Sequence, residues 1–157
     1  MYLVHRFPYP PDKGDRIRSF NLLKFLSRRA AVHVACLADE EVDPAAETAL
    51  RGYCERLATV RLGKWGRWMH SCSSLLRGRT ATEGAFRSPE FQEIISSWGR
   101  ETCFHACVAS ASSMVPYLKL PELRDKPAVV DLVDVDSEKW LDYAAASRGP
   151  KAWLYKT

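Results

Sequence analysis

Short apolar runs alternate along the chain with stretches of helical periodicity, a rhythm that predicts an α/β domain built on a mainly parallel sheet. Met1–His5 opens as a strand, and Pro8, Pro10, Pro11 and Gly14 punctuate a loop over Phe7–Gly14. A helix follows from Asp15 to Arg28. Its apolar positions Ile17, Phe20, Leu23 and Leu26 recur every three residues, widened by Leu22 and Phe25. Ala31–Leu37 reads as a second strand and Val42–Leu57 as a helix, with Asp43 as N-cap, Pro44 at its first position and Glu47 in its first turn. Thr59–Leu62 is a short third strand.

Beyond it the pattern turns more helical. Trp65, Trp68, Met69, Cys72, Leu75 and Leu76 form one stripe over Trp65–Leu76, and Ser88-Pro89-Glu90 opens another helix that runs to Trp98. Cys103–Ala109 is a fourth strand, followed by a Ser-rich turn and a short helix over Ser113–Leu118. Ala128–Val133 is a fifth strand and Ser137–Ala146 a helix. Gly149-Pro150 then breaks the chain, and Lys151–Thr157 looks like the first turns of a helix that stops at a truncated boundary. Residues 1–150 thus read as one Rossmann-like open-sheet domain.

Composition narrows the class without changing this picture. The chain has 157 residues, 46% of them hydrophobic and 27% charged, as in an ordinary folded globule rather than a disordered, collagen-like or coiled-coil chain. At this length one core buries about 70% of the unfolded chain's surface. No apolar run approaches the roughly 18–20 residues of a membrane span, and Met1–Val4 is ended by His5-Arg6 before a signal peptide could form. The net charge of +4 suits anionic small ligands or an anionic membrane surface but falls short of a dedicated nucleic-acid binder. Cys36, Cys54, Cys72, Cys103 and Cys107 are odd in number, irregularly spaced and without a Cys-x-x-Cys. They read as reduced thiols of a cytosolic protein and not as a metal site.

In open parallel sheets ligands sit outside the carboxyl ends of the strands. That rule selects four clusters: the His5–Arg18 loop, Asp39-Glu40-Glu41, the Ser110–Ser113 turn and Asp134–Lys139. It demotes His33 and His105, at strand beginnings, to structural roles. Lys13, Gly14, Asp15, Arg16 and Arg18 lie where a strand meets a helix N-terminus, whose free N–H groups and dipole favour anions. The competing reading is a helix start with solvated charges. The loop is neither a Walker loop nor a Gly-x-Gly-x-x-Gly fingerprint. Ser110, Ser112 and Ser113 offer hydroxyls, or else a cap of small residues, with no nucleophile elbow among them. Asp134 and Asp136 fall where the fifth strand gives way to a helix. Asp134 has the stronger claim to binding or proton transfer, and Asp136 to capping. Asp131, inside the strand, requires a buried partner or an edge position. Trp65 and Trp68, with Arg67 and Arg77, make the Lys64–Arg79 segment either a membrane-surface helix or one whose stripe packs on the sheet.

The stretch Tyr2-Leu3-Val4-His5-Arg6-Phe7-Pro8-Tyr9-Pro10-Pro11-Asp12-Lys13-Gly14-Asp15-Arg16-Ile17-Arg18-Ser19-Phe20 resembles the N-terminus of group 1 (family 4) glycosyltransferases, in the branch associated with PEP-CTERM/exosortase exopolysaccharide systems. Val130–Trp140 resembles that branch's second signature, and Trp153-Leu154-Tyr155 the start of its interdomain region. The resemblance implies the N-terminal, acceptor-side half of a two-domain GT-B enzyme, with the donor domain and its Glu-x₇-Glu element absent from these 157 residues. It implies transfer from a nucleotide-sugar to a saccharide or polyprenol-linked acceptor, with retention, no obligatory metal and no cofactor held by this domain. Gly14 and its neighbours would border the donor phosphates, with Arg16 or Arg18 offsetting leaving-group charge. Asp134 and the Ser110–Ser113 turn would line the acceptor side. Many members carry two glycines where this chain has Gly14 and Asp15, and an acidic residue where it has His105. Its setting would be cytoplasmic, peripheral at the inner membrane face. The alternative from a different class is a non-catalytic, flavodoxin-like binding or regulatory module.

Overall fold

A computed structural model describes residues 1–62 and 86–132. Five strands, β1 (Tyr2–Val4), β2 (His33–Ala38), β3 (Arg56–Arg61), β4 (Cys107–Ser110) and β5 (Ala128–Asp131), pair in parallel in the order β3-β2-β1-β4-β5. The helices are α1 (Gly14–Ser27), α2 (Pro44–Arg51), α3 (Pro89–Glu101) and α4 (Val115–Leu118), the last entered through a 3₁₀ turn at Ser112–Met114. This is the α/β Rossmann-like open sheet that the alternation predicts, and its order is not the flavodoxin-like one, in which the third strand sits beside the first. The expected Trp65–Leu76 helix with Trp65, Arg67, Trp68 and Arg77, and everything assigned from Val133 to Thr157, lie outside the described residues.

Strand alternation divides the core into two layers. Tyr2, Val4, Val34 and Cys36 point to the face covered by Phe20 and Leu23 of α1 and Ala46 and Leu50 of α2. Leu3, Ala35, Leu37 and Ala109 point to the face covered by Phe91, Ile95 and Trp98 of α3 and Tyr117 and Leu118 of α4. The helix layer changes face where the chain order changes direction, between β1 and β4. There the register aligns Val4 with Cys36 on one side and with Ser110 on the other, and Ser110 with Asp131. The carboxyl ends of β1, β2, β4 and β5 therefore open onto one rim.

Several boundaries differ from expectation for physical reasons. The helix drawn over Val42–Leu57 stops at Arg51, because Gly52 ends it and Arg56–Arg61 is taken into the ladder with β2. The strand drawn from Cys103 begins at Cys107, whose N–H bonds Pro127 O at 2.8 Å, leaving His105 exposed ahead of it. In α1 the burial falls on Ser19, Phe20 and Leu23, while Ile17 and Phe25 are 43% and 51% exposed. A row repeating every three residues drifts around a 3.6-residue helix, so only its middle faces the sheet. The caps at α2 and α3 form as expected: Asp43 accepts from Ala45 N at 3.0 Å, and Ser88 from Phe91 N at 3.2 Å. Among the described residues no helix is long and apolar enough to cross a membrane.

Candidate functional site

The loop from His5 to Lys13 leaves β1 at the rim and feeds α1, whose N-terminus differs from the other two long helices. Lys13 occupies the N-cap position with no side-chain hydrogen bond to the first turn, whereas α2 and α3 are capped by Asp43 and Ser88. A Cβ built on Gly14 would meet nothing within 4 Å. The backbone of the first turn is thus open on the side where Gly14 lacks a side chain.

The charges around it are arranged by contacts between loops distant in sequence. Arg6 donates from Nη1 to Asp15 at 3.1 Å and sets Nε 3.7 Å from Asp39, so one guanidinium ties the loop after β1 to the loop after β2. His5 Nε2 lies 3.9 Å from Asp15. Burial by itself would raise the Asp15 carboxyl. The Arg6 hydrogen bond, the Arg16 backbone N–H and the neighbouring charges outweigh it and hold the group below its ordinary range. Asp15 stays ionised and balanced, which offsets most of the penalty an acid would impose at an anion-facing turn.

The two predicted arginines part ways. Arg18 grips Asp131 of β5 with two donors, Nε to Oδ2 at 2.9 Å and Nη2 to Oδ1, a fork that occupies its binding edge. Asp131 thereby has both the partner and the edge strand that its position required. Arg16 donates only to Asp12, at 3.3 Å. Its side chain is 16% exposed, and its Nε is buried without an acceptor among the described residues. Of the two guanidiniums, Arg16 is the one with donors left for a ligand, and Arg18 is corrected from a phosphate contact to an interstrand clamp.

The serines part likewise. Ser110 is fully buried, its hydroxyl 3.1 Å from that of Ser19 on α1, and Ser113 is buried also. The Tyr2 hydroxyl donates to Ser19 O at 3.3 Å; burial pushes its pKa up to about 12, against the pull of the Ser19 and Ser110 hydroxyls. Ser110 therefore locks α1 to the switch point from within rather than lining an acceptor site. Ser112 is partly exposed at the rim. Between them Ala111 adopts φ 81° and ψ 154°, a region left almost entirely to glycine. Asp134 and Asp136 lie outside the described residues.

A cavity of about 200 Å³ opens between the first two loops, walled by Phe7 and Tyr9 on one side, Arg16 on another, and Asp39, Glu40 and Glu41 across from them. Composition and motif pointed to the first loop and to Asp39-Glu40-Glu41 separately. Arg6 and Tyr9, which join and floor the arrangement, had no signal in the sequence beyond their place in that loop. Among the described residues no three His, Cys, Asp or Glu side chains converge as a metal site. Cys36 and Cys107 are buried, and burial pushes the Cys36 thiol up to about 12, far from a nucleophile's range.

No protein family, curated protein or solved structure matches the chain.

Proposed function

We propose that the chain is the acceptor-side domain of a two-domain glycosyltransferase, which transfers a sugar from a nucleotide-sugar to a saccharide or lipid-linked acceptor. The observation that carries this reading is the open first turn of α1 at the rim beside the switch point, with no side-chain cap and no Cβ on Gly14. Backbone N–H groups and the positive end of a 14-residue helix there suit a diphosphate. The resemblance of Tyr2–Phe20 and Val130–Trp140 to group 1 transferases supports the same assignment.

In this reading the Gly14 turn approaches the donor diphosphate as its bond to the sugar breaks. Lys13 and Arg16 offset the charge that builds on the leaving group, while Arg18, clamped on Asp131, positions α1. The second domain supplies the rest of the nucleotide contacts. A non-catalytic module is the competing class, and its flavodoxin-like form is disfavoured by the β3-β2-β1-β4-β5 order.

Release of nucleoside diphosphate from a panel of nucleotide-sugars, with polyprenol-linked and free saccharide acceptors, tests the assignment. The 157-residue chain is expected to be inactive and the product of the whole reading frame active, with Arg16→Ala lowering kcat/KM about 10-fold or more. Turnover by the 157-residue chain alone would refute the half-enzyme reading. A reading frame that stops at Thr157, or a longer product that turns over no nucleotide-sugar, would sink the transferase.

A further inference from the structure

The cavity between the loops after β1 and β2 has a charge pattern that specifies a ligand class. Arg16 forms one wall, and its ion pair is with Asp12, which lies outside the cavity. Asp39, Glu40 and Glu41 form the facing wall, and none of them pairs with Arg16. Asp39 leans 3.7 Å from Arg6 Nε, Glu41 stands 4.0 Å from Arg61, and Glu40 has no ionic partner among the described residues. Donors and acceptors thus look at each other across open space rather than closing on one another. Phe7 is buried. Tyr9 is partly exposed, with its ring edge packed against Phe20 at a centroid distance of 5.4 Å.

A ligand in this space must accept from a guanidinium and donate to carboxylates at once. A phosphate or carboxylate would accept from Arg16 but meet the acidic wall as a like charge, and an ammonium group would meet Arg16 in the same way. A hydroxyl is both donor and acceptor, so neighbouring hydroxyls on one ring satisfy both walls without a net charge. The aromatic side suits the apolar C–H face of such a ring. The volume of about 200 Å³ is below the roughly 300–1,000 Å³ of sites for drug-sized ligands and fits a single ring.

We propose that this cavity is a subsite for one neutral pyranose ring, bound through its hydroxyls between Arg16 and the Asp39–Glu41 wall with its apolar face on Phe7 and Tyr9. The inference rests on the acceptor-side reading above and sharpens it: the acceptor presents an uncharged sugar here, not a phosphate or a uronic acid.

Ligand-observed NMR on the 157-residue chain tests it. The neutral probes are methyl glucoside, mannoside and galactoside; the charged ones are glucuronic acid, glucosamine and inorganic phosphate. At least one neutral glycoside should bind saturably at millimolar concentration and shift the backbone amides of Tyr9 and Glu40. Glu40→Gln, on an exposed side chain, should weaken that binding about threefold or more while leaving the circular dichroism spectrum unchanged. Tyr9→Ala should weaken it about tenfold. Absence of binding by every neutral glycoside, tighter binding of any charged probe, or an unaltered affinity in folded Glu40→Gln would overturn the subsite. Sugar binding retained by a protein without transfer activity would sink the transferase and leave the subsite. Transfer without sugar binding in the cavity would do the reverse.

Discussion

Replacing Ala111 by glycine should make the protein more stable, the reverse of what that exchange does at most positions. Ala111 sits at φ 81° and ψ 154° immediately beyond β4, where a Cβ is strained. The surroundings impose this conformation from both ends. Its N–H bonds Asp131 O at 2.9 Å, and its carbonyl accepts from Met114 N at 3.2 Å, which starts the turn into α4. One residue earlier Ser110 is fixed by its pairing with Val4 and by its hydroxyl contact with Ser19. Strain of this kind costs on the order of 1–3 kcal/mol. Glycine removes it but adds freedom to the unfolded chain, which costs about 0.4–1 kcal/mol. The expected net gain is about 1 kcal/mol, or a rise in Tm of roughly 2–4 °C for a domain of this size. Urea unfolding followed by circular dichroism gives the midpoint, and an unchanged slope shows that the denatured state is the same. Ala111→Val is the paired control, since a β-branched side chain is worse still at positive φ and should destabilise. If Ala111→Gly unfolds at the same or a lower urea concentration, the backbone at the switch point stores no strain, and the account of the β4 end is wrong.

Tyr117→Phe should cost about 1–3 kcal/mol, because the hydroxyl donates to Phe86 O at 2.6 Å and accepts from the buried Ser88 N at 2.9 Å, whose N–H would be orphaned; thermal unfolding reads the loss. Gly99→Ala should destabilise by about 1–3 kcal/mol despite alanine's better helix propensity, since its Cβ would come within 2.6 Å of Glu122 Cβ; a denaturant midpoint at or above wild type would contradict this packing. His33 is buried against Trp98 and Phe104, and burial first, then the charges of Arg56 and the N-terminus, lower its pKa. The native state therefore keeps it neutral while the unfolded chain takes up a proton below about pH 6.5. Stability should fall as the pH drops from 6.5 to the depressed native value and level off below it, and that pH-dependent loss should be absent in His33→Gln.

The sequence by itself determined the α/β class, the parallel sheet and the start of each described helix, because these rest on local physics. The prolines and Gly14 end regular structure wherever they stand, and Asp43 and Ser88 cap whatever helix follows. It also placed the first loop and Asp39-Glu40-Glu41 at strand ends. Boundaries moved where long-range pairing outweighed periodicity, as at Arg56, drawn into the ladder beside β2. Only the tertiary structure decided which charges remain for a ligand. Arg16 and Arg18 are two residues apart and alike in sequence, yet one grips Asp131, 113 positions away, and the other borders a cavity. Ser110 and Ser112 are equally close, yet one is sealed against Ser19 and the other reaches the rim. Such differences follow from the direction of a side chain on a helix or strand relative to elements that arrive from elsewhere in the chain. Residue type and spacing do not encode that direction until the sheet order β3-β2-β1-β4-β5 brings the loops together.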